Sequence, residues 1–267
     1  MDDWIKALPE NRQRGSYPRC LLYMNDNKSA LTEKLTKLIG VDNVEIPSDF
    51  KYAPQGIPRK DINGNWDKTP TLEAKLGESS NLVPASNIRK TVSDWWLAVK
   101  KGANTPNWDI ACTCTVNGKD GLLLVEAKAH DSELHTGGKK LASDATLNSF
   151  KNHIQIGEAV SEASAHLQRA TGWDWAISRD KCYQLSNRFA WAWKLASLKI
   201  PVVLLYLGFL NAEEMHDCGK PFVDHHAWKE VVLEHSSGIA PEQAWDTIID
   251  VEGIPIITGI RSETVFL

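Results

Sequence analysis

Apolar residues recur at helical spacing in five stretches of the chain. In "SALTEKLTKLIG", Leu31, Leu35 and Leu38 share one face and Gly40 supplies a stop. "TPTLEAKLG" offers Thr69 as a cap, Pro70 at the first helical position and Gly77 as a terminator. "SNIRKTVSDWWLAVKKG" carries Ile88, Val92, Trp95, Trp96 and Val99 on a stripe. Ser86 stands at its start, and Lys100 and Lys101 stand where a helix dipole favours cations, before Gly102. "LNSFKNHIQIGEAVSEASAHLQRATG" aligns Ile156, Val160, Ala163 and Leu167. In "DKCYQLSNRFAWAWKLASLK", Leu185, Phe189, Ala192 and Ala196 recur, Gln184, Asn187 and Arg188 lie off the stripe, and Pro201 closes the element. The tail from Asn211 adds two short helical patterns, "AWKEVVLEH" and "PEQAWDTII", followed by "IPIITGI".

Strand patterns fall between these helices. "RCLLYMN" reads as a short strand. "VVLLYLGFL" has no polar alternation, as expected of a strand covered on both faces. Residues 43–65, rich in Pro, Gly and Asp, read as a long loop. "NGKDG" lies between two apolar runs and signals a hairpin. A tight turn at Gly118-Lys119 would pair Asn117 with Asp120, Ala111 with Glu126 and Asp109 with Lys128. Asp109 then lies diagonal to Glu126 on one face, about 7 Å away at Cβ. Glu126 and Lys128, two apart, point the same way. A slip of one residue would turn Asp109 to the opposite face. With no repeat and no linker, the pattern describes a single α/β domain over residues 1–267.

Composition narrows the function classes. The 267 residues are 42% hydrophobic and 24% charged, as in soluble globular proteins. A net charge of −4 excludes a uniformly basic surface, so nucleic-acid contact requires a local patch. Cys20, Cys112, Cys114, Cys182 and Cys218 are sparse and odd in number, which argues against a disulfide framework. The first residues lack an apolar signal region, and "IPVVLLYLGFL" is about half of the ~20 residues a membrane span needs. The expectation is a cytoplasmic protein with no membrane partner.

Two carboxylates and a lysine near the tip of an apolar hairpin have a chemical reading. Hard oxygen ligands suit Mg²⁺ or Mn²⁺, which neutralises charge on a phosphate, and a lysine beside it can orient water and stabilise the transition state. Asp109 followed by Glu126-Ala127-Lys128 resembles the PD-(D/E)xK nuclease superfamily, and the order helix, hairpin, helix, strand resembles that family's core. The resemblance implies a restriction-endonuclease-like fold over roughly residues 72–210, a mixed central sheet flanked by helices, with peripheral additions at both ends. It implies metal binding by Asp109 and Glu126, and assistance to the water by Lys128. It implies a further acid near the first helix, for which Glu78 is the first choice and Glu73 and Asp94 are rivals, and an assisting Gln184 on the later helix. Trp108 stands where the family often has proline, with Pro106 further back, and "GANTPN" leaves no room for the strand that usually precedes the Asp strand. The implied activity is metal-dependent hydrolysis of DNA, with DNA as partner and a homodimer as a possible assembly. The alternative is a nuclease-fold protein that binds nucleic acid or protein without turnover.

Plainer readings stand beside these. The three charges could be a surface salt-bridge cluster at a sheet edge. His130 and His135 fit a solvated loop better than a metal or phosphate site. The lysines of "ELHTGGKK" suit either a DNA backbone or a solvated turn. Cys112 and Cys114, with His216, Cys218, His225 and His226, match no standard zinc spacing and read as core and surface residues. The tryptophans on helices read as core packing, whereas Trp173 and Trp175, in a loop, are the better candidates for stacking on bases.

Overall fold

The computed structural model describes residues 2–267. The chain begins with three helices, α1 (Asp3–Lys6), α2 (Ser16–Tyr23) and α3 (Lys28–Ile39). Five two-residue strands follow: β1 (Val44–Glu45), β2 (Tyr52–Ala53), β3 (Arg59–Lys60), β4 (Trp66–Asp67) and β5 (Ala74–Lys75). Helix α4 (Ser86–Trp96) leads through β6 (Asn107–Trp108) to the hairpin of β7 (Ile110–Val116) and β8 (Lys119–Lys128). Helices α5 (Leu147–Thr171) and α6 (Tyr183–Ser197) cross over to β9 (Val202–Leu210), and α7 (His225–Ser236) precedes β10 (Ile248–Val251) and β11 (Ile254–Thr264).

The hairpin turn is Asn117-Gly118, with φ of 51° and 72°. Both residues are left-handed, as a two-residue turn matched to strand twist requires. Val116 therefore faces Lys119 and Ile110 faces Val125. The turn is one residue earlier than the sequence pattern suggested, which moves the register by two. The ladder ends at Ile110, and Asp109 lies in the bend between β6 and β7, so its side is set not by strand alternation but by the hydrogen bond its carboxylate accepts from the Ala127 N–H.

The sheet runs β1-β7-β8-β9-β11-β10, with β2 also against β7. It is mixed: β8–β9 and β9–β11 are parallel and the other pairs antiparallel. The structure is thus an α/β fold with a mixed central sheet flanked by helices. Ala111, Leu122, Leu124, Leu204 and Tyr206 face the core shared with α4, α5, α6 and α7. Ile110, Cys112, Cys114, Val125 and Leu205 face the core shared with α2 and α3. Both faces of β8 and β9 are covered, which explains their unbroken apolar runs. Gly208 faces Lys128 across the β8–β9 ladder, and a Cβ there would lie 2.6 Å from the Trp228 ring, so α7 packs directly on the strand backbone.

Several elements differ from their sequence reading. "RCLLYMN" lies largely in helix α2, because a short apolar run carries no period that separates strand from helix. Only one 3-10 turn forms at Thr69–Thr71, after which Ala74 pairs with Trp108 in a β-bridge. Helix α4 stops at Trp96, short of Gly102, because Asn152 captures the next backbone, accepting from Val99 N–H at 2.7 Å and donating to Val99 O at 2.8 Å. Within "PEQAWDTII" a single turn at Glu242–Ala244 gives way to β10, whose alternate burial suits a hairpin with β11. The C-terminal tail, expected as a peripheral addition, thereby supplies two strands of the central sheet. The loop of residues 43–65 lends Val44 and Tyr52 to the outer edge of β7. Earlier chain thus takes the place beside the Asp strand for which "GANTPN" is too short. Among the described residues, no helix is long and apolar enough to cross a membrane.

Candidate active site

The last residues of β8 alternate between the two cores. Val125, Ala127 and Ala129 enter the α2–α3 side, and Glu126 and Lys128 turn to the other. Glu126 is completely buried and Lys128 is 5% exposed. One Glu126 oxygen accepts from Lys128 Nζ and the other from Arg188 Nε at 2.5 Å. Arg188, 4% exposed, comes from α6, 62 residues away in sequence. Its guanidinium lies 4.4 Å from the centre of the Trp108 ring and donates to Asn187 Oδ1 at 2.9 Å. Asp109, in the bend between β6 and β7, completes the group, its Oδ2 accepting from the Ala127 N–H at 2.7 Å.

This placement shifts the titration of each group. Burial opposes ionisation of Glu126, but Arg188 and Lys128 overcome it, so its carboxyl lies below the usual range. Burial likewise works against the Lys128 and Arg188 charges, and the carboxylates of Glu126 and Asp109 raise both above their ordinary values. Asp109 is the exception. Burial, then repulsion by Glu126, pushes its carboxyl up to about 7, and the nearby cations only partly offset this. Asp109 keeps partial solvent exposure, so water moderates that shift.

A cleft of about 740 Å³ opens beside the group. Residues 104–107, the strap of residues 135–140 and the face of α6 bearing Tyr183, Gln184, Asn187 and Arg188 enclose it. The strap is tied down through its backbone: Thr136 O accepts from Cys182 N, Gly137 O from Tyr183 N, and Lys139 N donates to Arg179 O. Gly138 permits this approach, since a Cβ there would lie 2.4 Å from Asp180 O. Lys139 Nζ sits 5.1 Å from the centre of the Tyr183 ring, and burial lowers its pKa.

Of the sequence candidates, Asp109, Glu126 and Lys128 come together. Gln184 stands in the cleft, one helical turn before Arg188. Glu78 does not join them: it is exposed and pairs with Lys100, which also holds Asp94. Glu73 is brought to the rim instead, accepting from Asn107 Nδ2 at 2.7 Å. His135 is exposed and lines the cleft. His130, expected in a solvated loop, is 5% exposed, and its Nδ1 has no hydrogen-bond partner. Trp175 is buried against Phe189 and so offers no free face for a base, while Trp173 remains half-buried. Trp95, Trp96, Trp191 and Trp193 cluster in the core. Cys112 and Cys114 are buried on the α2–α3 side.

Sequence reasoning missed Arg188 and Glu133. The signal for Arg188 was its i, i+4 relation to Gln184, off the apolar stripe of α6. Glu133 left no such mark; its carboxylate accepts from Ala129 N at 2.6 Å and from Ser16 N at 3.1 Å, and so ties the end of β8 to α2.

Asp109 and Glu126 are the residues that could hold a divalent ion. Among the described residues, no group of three or more His, Cys, Asp or Glu side chains is arranged to hold a metal. Two carboxylates nonetheless fit Mg²⁺, which is bound through one or two such groups and keeps several waters. Burial is the main cause of the raised Asp109 carboxyl, and the repulsion by Glu126 that adds to it would be relieved by a cation between the two acids. Such an ion would compete with Lys128 and Arg188 for the oxygens of Glu126. No protein-family model matches the chain, and no curated protein or solved structure matches it significantly.

Proposed function

We propose that this protein is a metal-dependent nuclease of the PD-(D/E)xK type, with a restriction-endonuclease-like core, that hydrolyses DNA phosphodiester bonds. The observation that supports it is the meeting of Asp109, Glu126 and Lys128 at one end of the hairpin, next to a cleft carrying Lys139, Lys140 and Arg188. In the reaction, a water oxygen bonds to phosphorus and one phosphorus–oxygen ester bond breaks. The departing oxygen takes up a proton, leaving a hydroxyl and a terminal phosphate. Asp109 and Glu126 would hold Mg²⁺ or Mn²⁺, which when bound would supply charge neutralisation at the phosphate oxygens. Lys128 orients the attacking water and stabilises the negative charge that grows as it adds. Arg188 fixes the Glu126 carboxylate and contributes a second cation to the site.

Asp109→Asn is the sharpest test, because an asparagine oxygen can still accept from the Ala127 N–H. With Mg²⁺ or Mn²⁺, wild type should cut a DNA substrate, and Asp109→Asn should cut at least 100-fold more slowly, on the order of a lost metal or transition-state contact. Failure of wild type to cut any DNA, or undiminished cutting by the variant, overturns the proposal. Glu126→Gln is a poorer probe, since it removes the counter-charge of two buried cations and disturbs the fold along with the chemistry.

A second reading, a nuclease-fold protein that binds without cutting, draws on the same cluster: both oxygens of Glu126 are already engaged by cations of the chain. It predicts nucleic-acid or protein binding that survives alanine at both Asp109 and Lys128.

A further inference from the structure

We propose that the cleft beside Glu126 receives an unpaired DNA strand, so that the enzyme acts on single-stranded or locally unpaired DNA in preference to intact duplex. This rests on the nuclease reading above and adds the form of the substrate to it.

Glu126 has no exposed surface, and Lys128 and Arg188 have 5% and 4%. A phosphate on the rim of a stiff duplex meets a protein at its surface, whereas these groups lie beneath it. A strand freed from its partner can bend and lower one phosphate toward them, which is why enzymes with recessed chemistry act on single strands or extrude a nucleotide.

Arg188 both lines the cleft and holds Glu126, so the cleft leads to the charge cluster through that one side chain. Its volume, about 740 Å³, lies within the range of pockets that enclose small organic ligands, which suits one or two nucleotides. The walls are also set. The strap is held to α6 and its preceding loop by three backbone hydrogen bonds and by the close contact of Gly138 with Asp180. Widening the cleft to admit a duplex would break that seam.

Lys139 and Lys140 offer positive charge to a phosphate backbone, and Tyr183 an aromatic ring. Gln184 and Asn187 add amides that can both donate to and accept from the edge of an unpaired base. Among the described residues, the Gln184 side chain makes no hydrogen bond within the protein, and Asn187 uses only its Oδ1, for Arg188. A basic groove with aromatic and amide groups is the combination that binds single strands with little sequence preference.

The test measures binding apart from cutting. Fluorescence anisotropy in EDTA would compare a labelled 30-nucleotide DNA strand, its blunt duplex, and the RNA strand of the same sequence. The single DNA strand should bind at least 10-fold more tightly than the duplex. Lys140→Glu, at an exposed position, should weaken strand binding at least 5-fold, and Lys139→Glu at least 10-fold, with circular dichroism and melting temperature reporting whether the strap stays docked. Equal or tighter binding of duplex, preference for RNA, no binding at all, or strand binding unaffected by a folded Lys140→Glu protein would each overturn the proposal. Cleavage with Mn²⁺ separates the two readings. A protein that cuts duplex faster than single strands keeps the nuclease reading and loses this one. A protein that prefers single strands in EDTA yet cuts nothing keeps the cleft assignment and loses the nuclease.

Discussion

Two clusters of mixed charge flank helix α4 and its approach to the sheet, and they are built from the same kinds of group. At the surface, Lys100 pairs with Glu78 and Asp94, and Lys90 pairs with Asp94. At the end of β8, Lys128 and Arg188 pair with Glu126 while Asp109 looks on. The side chains of Lys100, Glu78 and Asp94 are 33–53% exposed, those of Glu126, Lys128 and Arg188 at most 6%. Water and salt screen the first set, so its pairs contribute little. The second set is screened by nothing but itself, and each charge there depends on its partners remaining charged. Geometry alone would rank the two alike; burial separates a solvated surface from a site.

The contrast breaks most sharply at Arg188. Arg188→Ala should destabilise the fold by about 3–5 kcal/mol, the cost of leaving a buried carboxylate short of a partner, read from urea unfolding. Replacing Glu126, Lys128 and Arg188 together by leucine or methionine should recover most of that loss, to within about 2 kcal/mol of wild type, while abolishing any cutting. Were the triple variant less stable than Arg188→Ala, the cluster would be holding the fold rather than burdening it.

Asp109 sharpens the comparison through pH. Its folded carboxyl titrates at about 7, above the ordinary 3.8. Between those values the folded state binds the extra proton, so stability falls as pH rises through this window, and the full penalty stands above pH 7. Asp109→Asn removes that titration. It should match wild type near pH 4 and exceed it at pH 8 by about 2 kcal/mol, less than the full shift because water reaches the group. A constant difference between variant and wild type across pH 4–8 would show that Asp109 is not held above its ordinary value. The smallest effect belongs to the surface cluster: Lys100→Ala should change stability by less than about 1 kcal/mol, and less still in high salt.

The parts of this molecule that could be read from sequence are those set by local rules. Helix α3 ends at Gly40 and α5 at Gly172, both left-handed as glycine termini predict. The face shared by Glu126 and Lys128 followed from strand alternation, whereas Asp109 sits in a bend before β7 and reaches the cluster through the Ala127 N–H. What sequence could not show depended on distant partners. Asn152 cuts α4 short from another helix. Glu78 looked suitable by position, yet Lys100 draws it to the surface. Arg188 reaches Glu126 only after a crossover, and nothing within the "EAK" stretch itself announces a guanidinium.

That crossover has a consequence for assembly. The acids of the cluster lie before residue 130, and Arg188 lies after the exposed stretch at residues 140–144. A backbone cut in that stretch would leave Glu126 with one of its two buried partners in one piece and put an unmatched cation in the other. Neither piece should hold its shape alone, and the two should complement each other when mixed. The ion pair between Glu126 and Arg188 thus acts as a password between the halves of the chain.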